Sequence, residues 1–148
     1  MNGPQLKTAP ADWRTDTLEC WQRLPNKSFF FTLLAAWLLL FQFWGNSILG
    51  YVHTSSLFGW LYEAYNNPGS AEDAGHGDFI PLLVVGLFWW KRKELLELPL
   101  QIWWPGILIL AAAVLLHLVG YAIQQPVLSV VALFTGIYGL MGLAWGRA

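Results

Sequence analysis

Few side chains here could move a proton, attack a carbonyl or hold a metal. There are three histidines, His53, His76 and His117, and one cysteine, Cys20. His53 and His76 share a stretch with Glu63, Glu72, Asp73 and Asp78. Imidazole beside carboxylate is the raw material of an acid–base pair or a metal centre. The spacing does not develop it: there is no HxxH or HxxxH, and a turn-rich loop does not pre-arrange ligands. No metal site and no cofactor are therefore expected. The ordinary role for His76 is to cap a helix or sit at an interface. Gly77 permits a tight bend after it, and Asp78 suits the positive end of a following helix. Cys20 has no histidine near it in sequence to activate it, so no catalytic residue is assigned. His117 differs, because it interrupts the apolar run ILILAAAVLLHLVGYAI. An ionisable group there is a candidate intramembrane polar site by default. A structural hydrogen bond to a neighbouring helix explains it equally well.

The elements that carry these residues follow from composition. Hydrophobic residues make up 56% of the 148, charged residues 11%, and there are ten tryptophans. An ordinary soluble domain has about 25% charged residues, and tryptophan is a favoured residue at the lipid–water boundary. The expected fold class is all-α integral membrane: four transmembrane helices with an interfacial helix in the outer loop. The spans are placed at about 29–49, 77–92, 102–123 and 126–145, since a crossing needs roughly 17–25 apolar residues. Backbone groups in lipid must be satisfied within the segment, which makes each span a helix. The leader is 1–28 and the outer loop 45–78. The second span has a short apolar core, and a re-entrant helix is its alternative.

Charge placement supports all four crossings. Lys7, Arg14, Arg23 and Lys27 precede the first span, Lys91, Arg92 and Lys93 follow the second, and Arg147 follows the fourth. With four crossings every cation falls on one side, and the loop 45–78 contains none. The positive-inside rule then puts both termini in the cytoplasm and that loop outside. A net charge of −1 offers no field for nucleic acid.

Two local patterns add detail. SSLFGWLYEAY, residues 55–65, sets apolar residues at helical spacing behind a serine cap, as expected of a helix lying in the membrane interface. In the fourth span Gly136, Gly139, Gly142 and Gly146 lie on roughly one face, where small residues admit another helix. That helix is either a neighbour within the bundle or part of another chain.

HGDFIPLLVVGLFWWKRKEL, residues 76–95, carries a resemblance. A His-Gly pair, Phe79 and Pro81, an apolar run and a Trp-Trp-Lys-Arg-Lys end, followed by an apolar hairpin, resemble the exosortase/archaeosortase family. The family-motif positions are His76, Gly77, Phe79, Pro81, Lys91 and Arg92, and the likeness covers roughly 29–146. It implies a multi-spanning enzyme of the bacterial cytoplasmic membrane. Such enzymes recognise a C-terminal signal of the PEP-CTERM type on exported proteins and cleave it with a cysteine nucleophile, assisted by arginine and histidine on later spans.

The sequence departs from that pattern where the chemistry resides. It has no G-x-C-S-G, its one cysteine precedes the first span, and it stops at Gly146-Arg147-Ala148. The expectation is a truncated exosortase-like protein, inactive alone. Its partners would be the bilayer, exported proteins with a sorting signal, and a polypeptide supplying the remaining helices. The alternative is a small non-enzymatic four-helix accessory or assembly protein.

Overall fold

A computed structural model describes residues 13–48, 54–66, 80–97 and 100–146. Among these residues the chain forms six helices and no strand: α1 Trp13–Arg23, α2 Lys27–Trp44, α3 Leu57–Asn66, α4 Ile80–Glu97, α5 Gly106–Ala122 and α6 Pro126–Trp145. An isolated backbone bridge joins Gln101 to Gly146.

Two of the helices, α2 with 18 residues and α6 with 20, are both long and apolar enough to cross a membrane. α5 has 17 residues and the apolar part of α4 is only Leu82–Lys91. At 1.5 Å per residue α5 measures about 25 Å, against roughly 30 Å of hydrocarbon. The expected four spans thus reduce to two clear ones and two shorter apolar helices.

α2, α5 and α6 pack together, with α6 in the middle. Its buried residues, among them Ser129, Ala132, Gly136, Gly139 and Leu143, recur at intervals of three and four. That spacing keeps a broad stripe facing inward. α2 and α5 run antiparallel to α6. At one end Phe30 stacks 4.1 Å from Trp145, and Trp145 Nε1 donates to the Pro25 carbonyl at 2.6 Å. At the other end Phe41 lies against His117 of α5, 4.7 Å between rings. These are called below the α1 end and the α3 end.

Glycine decides how closely α6 is approached. A Cβ on Gly106 would lie 2.7 Å from the Gly139 carbonyl oxygen, and one on Gly136 would overlap the indole of Trp37. Trp37 is buried, and its Nε1 donates to the Leu133 carbonyl at 3.1 Å. Gly142 and Gly146 face Trp103. Each glycine of the predicted small face is used within the chain. Burial against water does not drive helices together in lipid, so close packing and interhelical hydrogen bonds must supply the association.

Turn chemistry fixes the ends. The α5–α6 link is Ile123 to Gln125, with Gln124 left-handed at φ 56°. Gln125 N donates to the Gly120 carbonyl at 2.8 Å and Gln124 N to Tyr121 at 3.3 Å. This pair of bonds closes a Schellman motif. Pro126 opens α6, where a missing N–H costs nothing. α2 stops at Trp44, some five residues before the expected end near Leu49. Asn46 is the cause: its N–H donates to the Ser55 carbonyl at 3.0 Å and its Nδ2 to the Thr54 carbonyl at 2.7 Å.

α3 forms where a helix was expected, and Ser56 is its cap, accepting from Gly59 N at 3.1 Å. Its Leu57 is fully buried in the core of the bundle, whereas Tyr62 is exposed. α4 stands apart. Leu82 to Trp90 are exposed around the whole helix, and among the described elements α4 packs only on α1.

Candidate functional site: a buried polar centre

The described chemistry converges at the α3 end. His117, on the face of α5 that meets α6, is 5% exposed, and Ser129 opposite is fully buried. The His117 Nδ1 to Ser129 Oγ distance is 3.0 Å. Tyr121, one turn along α5, sets its ring 6.1 Å from the imidazole. The backbone carbonyl of Trp44, at the end of α2, also faces the imidazole. One side chain therefore links all three helices of the bundle. A second polar cluster closes the same end. Ser56 Oγ donates to Gln42 Oε1 at 2.9 Å while capping α3, and Asn46 holds the loop after α2. The hydroxyl of Ser56 is thus used as donor and as acceptor.

What this centre can do chemically is limited. Ser129 and His117 have the pairing of a nucleophile and its base, but both are buried, with Phe41 packed on the imidazole. His117, Ser129, Ser56, Gln42 and Asn46 each have a hydrogen-bond partner, as buried groups in apolar surroundings need. Of the two readings open for His117, the structural one requires a hydrogen bond to a neighbouring helix, and Ser129 of α6 is placed to make it. Among the described residues no three His, Cys, Asp or Glu side chains converge as metal ligands.

The other predicted site residues fall as follows. His76, Gly77 and Phe79 lie outside the described residues, as does His53. Pro81 and Arg92 belong to α4. Lys91 is exposed and pairs with Glu94 one turn on, at 2.8 Å. Exposed pairs of this kind contribute little, about 0.3–0.5 kcal/mol in water. Cys20 lies in α1, before α2. Sequence reading gave no role to Gln42 and did not single out Ser129 or Asn46. Ser129 carried a usable signal, being a hydroxyl on an otherwise apolar span, three residues after the proline that starts it.

The profile of the transmembrane exosortase family matches residues 67–148. The matched region holds α4, the α5–α6 hairpin and both members of the His117–Ser129 pair, more than half of the chain. The chain belongs to the transmembrane exosortase family. It is accordingly an integral membrane protein in contact with the lipid bilayer. No curated protein and no solved structure shows significant similarity to it. The large apolar side chains left exposed on this membrane protein, Leu115 and Leu118 of α5 and Phe134 of α6 among them, face lipid rather than water. Trp44 and Trp104, at or near helix ends, and Trp90, near the end of the apolar part of α4, are each more than 60% exposed and suit the boundary belt.

Proposed function

We propose that these 148 residues form the substrate-facing membrane region of an exosortase-type sorting enzyme for exported proteins with a C-terminal signal of the PEP-CTERM type. On this reading four helices, α2, α4, α5 and α6, cross the bacterial cytoplasmic membrane. Both termini are cytoplasmic, following the distribution of the eight cations. The His76–Gly77–Phe79–Pro81 motif then enters α4 on the outer side, and Lys91 and Arg92 end it on the inner side. A polypeptide carrying these residues alone does not cleave. Its single thiol, Cys20, precedes α2, so the nucleophile and the arginine and histidine that assist it must come from further helices. The observation that best supports this reading is α4. It carries Pro81, Lys91 and Arg92 of the family motif, lies within the matched region, and is exposed from Leu82 to Trp90.

A second reading has its own support. The glycine face of α6 and His117 are both satisfied inside the chain, as in a self-contained accessory protein with no helices missing. One experiment separates the two. The purified chain is incubated in nanodiscs with a peptide bearing a PEP-CTERM-type tail, alone and after co-expression with the neighbouring genes of its source. A photo-crosslinker is placed at Val85. Cleavage only in the co-expressed sample, with Val85 crosslinked to the added polypeptide, is the expected result. Cleavage by the chain alone, whether or not it survives Cys20→Ser, would sink the proposal. No cleavage and no crosslink in either sample would favour the accessory reading.

A further inference from the structure

A groove of about 790 Å³ runs along the outside of α2 at the α1 end. Its floor is the small-residue row Ser28, Thr32 and Ala36, four residues apart, all exposed. Trp21 of α1 and Phe31, their rings 5.4 Å apart, wall its upper part. Leu39 closes the far end.

The lining is graded. Among the described residues the only charged side chain in it is Lys27, at the mouth, and those below Thr32 are all apolar. Lys27 is half-buried, with its Nζ 2.9 Å from the Trp21 carbonyl and 5.4 Å from the centre of the Trp21 ring. One of its three N–H donors is thereby used. Among the described residues it forms no ion pair, and none of their carboxylates lines the groove. A fixed cation with spare donors at the head of an apolar trough complements an anionic head on an apolar tail.

The dimensions also discriminate between occupants. From Ser28 to Leu39 is 11 residues, about 16 Å at 1.5 Å each. That is about half of the roughly 30 Å hydrocarbon core, the depth of one leaflet. A partner helix would need a seat along the full span, whereas one acyl chain needs only this much. The volume falls within the roughly 300–1,000 Å³ usual for small-molecule sites.

We propose that this groove is a binding site for one anionic phospholipid of the adjoining leaflet. Its phosphate sits against Lys27, and one acyl chain lies along Ser28, Thr32 and Ala36. Ten tryptophans make quenching ambiguous, so the test is native mass spectrometry. The full chain is released from nanodiscs of equal phosphatidylcholine and phosphatidylglycerol. The expected result is one retained lipid, with phosphatidylglycerol favoured about fivefold, the effect of a single cation near the surface. Lys27→Gln should cancel the preference and Lys27→Arg keep it. Ala36→Leu, which fills the trough, should abolish retention with the thermal transition intact. Should Ala36→Leu not fold, the two Lys27 variants alone decide. Equal retention of both lipids by the unaltered chain, or a preference that survives Lys27→Gln, overturns the proposal. So does a dimer in place of the lipid adduct, which would assign the small-residue row to a second copy.

Discussion

Replacing Gly136 by alanine should destabilise the bundle, although alanine is the better helix former. The propensity gain is close to 1 kcal/mol in the helix interior. Against it stands the Trp37 indole, which occupies the space a Cβ would take. The ring cannot slide away freely, since its Nε1 is tied to the Leu133 carbonyl and its face packs at 65° against Phe41, 5.2 Å away. Overpacking of this kind costs about 1–3 kcal/mol, and losing the indole hydrogen bond adds about 1 kcal/mol. The net expectation is a loss of about 1–3 kcal/mol. It would be read as a lower midpoint in thermal or denaturant unfolding in detergent, followed by circular dichroism. The decisive version is a double-mutant cycle. In a Trp37→Leu background the same Gly136→Ala change should be neutral or stabilising, because the clash has gone and only propensity remains. If Gly136→Ala is harmless with Trp37 present, or equally harmful without it, the close approach of α2 to α6 is not what this glycine secures.

Three further expectations can be measured in the same way. Ser129→Ala strips His117 of its partner in an apolar interior; a loss of about 0.5–2 kcal/mol is expected, given that interhelical hydrogen bonds in membranes average about 0.6 kcal/mol, and it should vanish in a His117→Phe background. Gln124→Gly should stabilise the hairpin by roughly 0.5–1 kcal/mol, since glycine enters the left-handed region without the Cβ penalty; a lower unfolding midpoint would show that the turn is not held at φ 56°. For topology, single cysteines at Ser70 and Lys91 in a Cys20→Ser background should label from opposite sides of sealed cells, Ser70 from outside; labelling of both from one side would mean that α4 does not cross.

Much of the helical content was legible before any coordinates, for physical reasons particular to this chain. An apolar stretch bounded by Pro126 and Gly146 has one stable form in lipid, and α6 spans Pro126–Trp145 as read. A serine pair, Ser55 and Ser56, followed by an apolar helical repeat likewise announced α3, and the structure makes Ser56 the cap. The segment 76–95, with its His-Gly opening and Lys-Arg-Lys end, was enough to suggest the family that the profile match supports. Membrane helices also hide information. Where every residue is apolar, hydropathy cannot say which face meets lipid and which meets protein, so Leu82 to Trp90 read like any other span, yet all of them are exposed.

Pairings were decided by tertiary structure alone. A row of glycines fits either an internal neighbour or a second chain; only the placement of Trp37, Gly106 and Trp103 assigns it inward. Local sequence did not reveal that α2 would stop at Trp44, because the bonds that end it come from Thr54 and Ser55, eight and more residues later. His117 was visible as an oddity in the sequence, but its meaning lay in Ser129, twelve residues on and across a turn. Composition and periodicity are properties of one segment, and they fix what that segment can be in lipid. A partner is a property of two segments, and it is set by shape and hydrogen bonding once the chain has closed on itself.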